Sequence, residues 1–416
     1  VASLYGLCRE QFLAGAQQSL WPAKTEDSTS LKSYNAAIRL FSRDLKKGSV
    51  GVDSVICCLI FILFELQRDN HLAAFRHHQG FQAVIQEVKK QDCSTISEAT
   101  ALLAFDRLAL RMENQAMLFI GSKVPNFCTD FCVSDSFNSL VEARDALDQR
   151  KTRTLEFLNP YAYVNPEYCP PWSTFEGRSH NHFHVFHGTF KGYILPDLDA
   201  RRHELLDTLQ LWKDRFDSFL QQEDHHGRAI DVKSLSLLRM TYWVEYIRVS
   251  TAHSDDEMIY DFFLPIFKSI LGEAQHILDI SNREQTDLVP SHILPADVLL
   301  GSGLVYCLYF TCLKCREPHV RDNALLLLSQ AGRDGIWDGT MLAQIAKHVI
   351  QLESPIEEGS GTTEEPVGIC LRVNGISLDI DRENSKVWVR TVQSTKAHEY
   401  KRSTWRTQDA ILRLDL

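Results

Sequence analysis

The chain has 416 residues, 44% hydrophobic, 24% charged and 10% aromatic, proportions that exclude collagen-like, disulfide-dense and wholly disordered proteins. At roughly 150 residues per domain, that length amounts to about two to three domain equivalents. Its 44 Lys+Arg against 54 Asp+Glu leave a formal charge of −10, so no broad face for gripping nucleic acid is expected.

Helical periodicity dominates the first third. Tyr34, Ala37, Ile38, Phe41 and Leu45 recur at three- and four-residue steps and mark one apolar face. A nearly continuous apolar helix follows over Val55–Leu66, then a polar break at Gln67-Arg68-Asp69-Asn70. Leu72, Phe75, Phe81, Val84, Ile85 and Val88 form the next stripe, and the short connection predicts an antiparallel αα-hairpin. Further helices are expected near 95–120 and 136–158. Residues 160–196 then hold five of the 13 prolines, which fix φ and remove amide donors, so no long helix can cross them. This stretch reads as a proline-, histidine- and aromatic-rich connector with a strand in Phe183–Tyr193.

Helices resume with the stripe Leu205, Leu209, Trp212, Phe216, Phe219 and Leu220, and continue near 231–252, 255–280, 295–315, 318–331 and 340–353. Glu357–Pro366 is a Gly/Thr/Glu linker. Beyond it, alternation at Ile369, Leu371, Val373, Leu378, Ile380 and Val387–Val389 predicts short strands, with Asn374-Gly375 as a hairpin turn. The expected fold is all-α, a multi-helix bundle of stacked αα-hairpins with a small C-terminal β-hairpin appendage. Its divisions are an N-terminal helical half (1–159), the connector (160–196), a C-terminal helical half (197–355) and an acidic linker with the β segment (356–416). Because the chain starts at Val1, an internal piece of something longer is expected.

The 11 cysteines form no secreted-type framework, and Cys57-Cys58 sit in an apolar run, so buried free thiols in a reducing compartment are expected. Cys312-x-x-Cys315 lacks the second ligand pair of a structural zinc site. Val55–Leu66 and Val298–Leu313 are too short to span a membrane, which takes about 20 apolar residues.

Enzyme signatures are missing: there is no nucleophile elbow and no phosphate loop. His203-Glu204 lacks the second histidine of a zincin helix, and Gly301-Ser302-Gly303 lacks a third glycine. His180, His182, His184 and His187 are metal-ligand candidates, since three of them would share one face of an extended strand. An ordinary amphipathic edge strand also accounts for them, and no metal site is assigned. Asp255, Asp256, Glu257 and Asp261 could hold magnesium as in all-α terpenoid synthases, but no opposing motif accompanies them, and helix capping is the favoured explanation. The aromatic residues Tyr242, Trp243, Tyr246, Phe262, Phe263 and Tyr306 would line an apolar pocket for a small effector, or simply form core.

Several segments resemble one family. They begin with Cys57-Cys58-Leu59-Ile60-Phe61, Phe64-Glu65 and Asn70–Gly80, and continue with Phe105–Leu108, Gln115-Ala116 and Phe137 through Ala143-Arg144-Asp145-Ala146-Leu147. The most specific is Lys314-Cys315-Arg316-Glu317-Pro318 with Arg321, Ala324, Leu327-Leu328 and Gly335-Ile336-Trp337-Asp338-Gly339. In order and spacing they resemble the regulatory (middle homology) region of fungal-specific binuclear zinc-cluster transcription factors, over about residues 34–353. The landmarks have physical roles to match. Gly80 would allow close helix approach, Pro318 would open a helix, Asp338 would cap one, and Trp337 would anchor a turn.

That resemblance implies a nuclear, non-enzymatic regulatory domain that homodimerises, contacts transcriptional co-regulators and takes a small-molecule effector. DNA would be reached only through an upstream module in which six cysteines hold two zinc ions; no catalytic residue or cofactor is assigned to this chain. The alternatives are a structural dimerisation scaffold without DNA binding and, below it, an all-α enzyme of terpenoid-synthase type.

Overall fold

A computed structural model of the chain describes residues 28–48, 50–67, 70–90, 96–120, 136–162, 187–188, 196–226, 230–254, 256–286, 303–335, 337–354, 371–381, 386–394 and 405–414. Within them the protein is mostly α, with a small antiparallel sheet near the C-terminus. Two compact units divide it, one taking in residues 1–116, 293–301 and 416, the other 117–292 and 302–415.

The first unit contains α1 (Ser28–Lys46), α2 (Val52–Gln67), α3 (His71–Lys89) and most of α4 (Ile96–Ile120). Tyr34 on α1 lies with Ile60, Phe61 and Phe64 on α2, its ring stacked 4.3 Å from Phe64. The expected α2–α3 hairpin is present, and Asn70 ends the polar break by accepting a hydrogen bond from the Ala73 amide at 3.3 Å. Between α3 and α4, Lys89 reaches Asp106 at 2.6 Å and the Gln82 amide donates to Glu113 at 3.3 Å. Gly80 is not a contact point: it is exposed, and a Cβ built there would meet nothing within 4 Å.

The second unit begins with α5 (Leu140–Ala162), which ends just past Pro160, and α6 (Pro196–His226), opened by a proline at its first turn. With α7 (Val232–Thr251) they bury one aromatic core. The Trp212 indole donates to the Ala143 carbonyl at 2.8 Å and stacks on Phe216 and Tyr242 at 4.7 and 5.5 Å. Helix α5 therefore packs with the elements after the proline-rich connector, within the second compact unit.

Beyond α7, a 3-10 turn (Glu257–Phe263) leads into α8 (Leu264–Thr286), where one continuous helix was expected. Helix α9 (Leu304–Lys314) starts at Gly303, whose φ of 96° only glycine adopts readily. The Asp334 carboxylate accepts from the amides of Gly303 and Val305 at 2.9 and 3.3 Å, a negative charge at a helix N-terminus. Next come α10 (Pro318–Gln330) and α11 (Gly339–Glu353), joined through the two-residue strands β2 (Arg333–Asp334) and β3 (Trp337–Asp338). Pro318 opens α10, Trp337 is 2% exposed, and Asp338 caps α11 through the Met341 amide at 2.9 Å. The close approach that glycine permits is at Gly339, where a Cβ would lie 2.6 Å from the Leu328 carbonyl and 2.7 Å from that of Gly332.

Strands β4 (Val373–Asp381), β5 (Lys386–Ser394) and β6 (Trp405–Arg413) form an antiparallel sheet. The two-residue strand β1 (His187–Gly188) pairs with Ile376 and Gly375 on its far side. Ile376, Leu378, Val387, Val389 and Thr391 fill its buried face. Asn374-Gly375 makes no turn. It lies inside β4 at a register shift between Val373 and Gly375, a bulge that bends the strand's start.

Candidate functional site

Six charged side chains that are far apart in sequence meet inside the second unit. The 3-10 turn supplies Glu257, the end of α9 Lys314, the α9–α10 link Arg316, the first turn of α10 Arg321, and the last turn of α11 Glu353. Arg372 precedes β4. Each is at most 4% exposed. Charges buried this deeply persist only when paired and hydrogen-bonded.

The pairing runs as a chain. Lys314 Nζ lies 2.8 Å from Glu257 Oε1, and Arg316 Nη2 lies 2.9 Å from Glu257 Oε2 and 3.0 Å from Glu353 Oε1. Glu353 Oε2 in turn meets Arg321 Nη2 at 2.5 Å. At Glu257 Oε2 and Glu353 Oε2 these contacts are ionic, without the geometry of a hydrogen bond. Arg372 forms a two-pronged pair with Asp261 at 2.8 and 2.7 Å and donates to the Glu257 carbonyl at 3.0 Å.

The same groups grip the start of β4. Lys314 Nζ donates to the Asn374 carbonyl at 3.1 Å, Arg316 Nη2 to the Val373 carbonyl at 3.2 Å, and the Val373 amide donates to Glu353 Oε1 at 2.6 Å. This explains the bulge at Asn374-Gly375: carbonyls at the strand's start are taken by cations of the helical body. Arg316 Nη1 and Arg321 Nε also donate to the carbonyls of Lys314 and Cys312, at 2.9 and 2.7 Å. The Tyr260 ring lies 5.0 Å beneath Lys314 Nζ.

Burial and pairing pull against each other at four of the members. Burial works to raise the Glu353 carboxyl, but Arg316 and Arg321 outweigh it and keep it below the usual carboxylate range. Burial works to lower Arg316, and the Glu353 and Glu257 charges carry it above its ordinary value. Lys314 and Arg321 are lowered by burial, against the pull of Glu257 and Glu353 respectively. A cluster of this kind ties six segments together.

Most of the cluster was hidden in the sequence. Asp256 does cap the 3-10 turn through the Met258 amide at 2.8 Å, as expected. Capping does not account for Glu257 and Asp261, whose carboxylates are bound by Lys314, Arg316 and Arg372, cations standing where magnesium would have to sit. Asp255 lies outside the described residues. The motif Lys314-Cys315-Arg316…Arg321 was the visible signal, although it pointed to a family resemblance rather than to a charge cluster.

Of the six aromatics expected to line a pocket, Tyr246 is in ring contact with both Tyr242 and Phe263. Tyr242, Trp243 and Tyr246 belong to the aromatic core of α5–α7, with Phe263 edge-on to Tyr246 at 6.3 Å. Tyr306 is 3% exposed and packs 5.5 Å from Trp337. Phe262 is 84% exposed and turned to solvent. Of the histidine set, His180, His182 and His184 lie outside the described residues, and His187 pairs across to Ile376. Cys57, Cys58, Cys307, Cys312 and Cys315 are free thiols; burial pushes Cys312 up to about 12 and Cys315 up to about 11. Among the described residues no group of three or more His, Cys, Asp or Glu side chains could hold a metal, and no helix is long and apolar enough to cross a membrane.

No family model, curated protein or solved structure matches this chain.

Proposed function

We propose that the chain is the regulatory domain of a fungal zinc-cluster transcription factor, a non-enzymatic nuclear module acting through co-regulators and self-association. One observation supports this above the others. The residues that carry the family resemblance, Lys314, Arg316, Arg321, Trp337, Asp338 and Gly339, hold the fold through ion pairs, a cap and a close backbone approach. A motif spent on architecture suits a domain that works by presenting surfaces and changing shape. Zinc belongs, in this proposal, to an upstream DNA-binding module, and a small effector remains part of the proposal without an assigned pocket.

The test is to fuse the chain to an unrelated DNA-binding module and read a reporter placed under that module's operator. Output should change severalfold relative to the module alone. An unchanged reporter with a folded, nuclear fusion would favour the structural scaffold instead. Turnover of a prenyl diphosphate with magnesium would overturn the non-enzymatic part.

A further inference from the structure

We propose that Arg150, with Arg153 and Arg215 beside it, forms an oxyanion-binding site at the α5–α6 interface, taking a phosphate or carboxylate group. The inference is independent of the regulatory reading. Arg150 interrupts an apolar stripe: Ala143, Ala146, Leu147, Leu155 and Phe157 around it on α5 are buried, and Arg150 itself is 8% exposed. A residue at such a position would ordinarily be apolar, or a charge with a counter-charge. Arg150 has none. Its Nε donates to the Thr208 carbonyl at 2.9 Å and its Nη1 to the Ala146 carbonyl at 2.8 Å, and neither acceptor is ionised.

Burial, and after it the like charges of Arg215 and Arg153, lower Arg150 to about 10. The geometry makes that convergence unsurprising. Ala143 and Arg150 on α5 meet Trp212 and Thr208 on α6, so the helices run antiparallel. Side chains lean toward the N-terminus of their own helix, which brings Arg150 and Arg215 toward each other between the two contacts. Nη2 of Arg150 makes no hydrogen bond and is within reach of solvent. A guanidinium held by two carbonyls through Nε and Nη1, with Nη2 left to donate and the charges of Arg153 and Arg215 acting on it, is preorganised for an oxyanion.

An Arg150 that only ties α5 to α6 and an Arg150 that binds an oxyanion make opposite predictions. The 416-residue chain would be unfolded by heat at constant ionic strength in chloride, inorganic phosphate, or acetate. A saturable rise in the midpoint with phosphate over chloride is expected; the same rise with acetate would identify a carboxylate ligand instead. Arg150→Met should abolish the response while keeping or raising stability in chloride. Should that variant fail to fold, Arg153→Gln with Arg215→Gln should still weaken half-saturation about tenfold, the cost of losing charge-assisted contacts. No oxyanion response in the unaltered chain, or an equal response in the double variant, overturns the proposal.

Discussion

Single side chains decide the two strongest stability predictions. Glu353 answers two arginines and a backbone amide, so Glu353→Gln leaves cations buried without their partner. The expected loss is about 3–5 kcal/mol, the range for breaking a buried pair, read from denaturant unfolding. His78 presents the opposite case. It is 2% exposed, neither ring nitrogen has a hydrogen-bond partner, and burial pushes it down to about 4. The unfolded chain therefore binds a proton near pH 6.5 that the folded chain refuses until about pH 4. Stability of the first unit should fall as pH drops through that window, by about 3 kcal/mol in all. His78→Leu should flatten the slope; an unchanged slope would show that His78 is not its source. Neither residue stood out in the sequence, because burial of a charged or titratable group is a property of the fold around it.

Short-range features of elements were legible, and for a physical reason. Pro318, Asp338 and Trp337 act on backbone within a few residues, so periodicity and turn chemistry were enough to place them. Contacts of long sequence separation were not: Lys314 meets Glu257 across 57 positions and Arg372 meets its carbonyl across 115. Strand β6 escaped notice because Arg406, Asp409 and Arg413 break its alternation, Asp409 being held by Arg390 at 2.6 and 2.7 Å. The glycines show how far spacing can mislead. Gly80→Ala fills open space in an exposed helix interior and should stabilise by about 0.5–1 kcal/mol. Gly339→Ala drives a methyl into two carbonyls and should cost about 1–3 kcal/mol. Asp338→Ala next to it should cost about 1 kcal/mol by removing the cap of α11. Thermal midpoints of the three variants check the order.

For the second unit as a whole, the charge cluster ties the small C-terminal sheet to the helical body. The sheet's own strands pair with each other, yet its first residues are bound by α9, α11 and the 3-10 turn through Lys314, Arg316, Glu353 and Asp261. Arg372→Leu should therefore raise hydrogen exchange at the start of β4 more than at the β5–β6 pairing, as seen by mass spectrometry of the intact chain. Uniform exchange across all three strands would mean that the sheet stands without its clamp.

The hydrogen bond from Val373 to Glu353 has a consequence for topology. It holds Val373 beside the last turn of α11, so the described residues on either side of positions 355–370 are tied to each other. Adding chain between two points that are already tied is cheap, about 0.6 kcal/mol for each doubling of length. A folded reporter whose termini lie close together, inserted between positions 360 and 361, should leave the melting midpoint nearly unchanged. The same insertion between Arg316 and Glu317 should abolish folding. A single bond between two distant positions thus sets where added sequence costs the fold little.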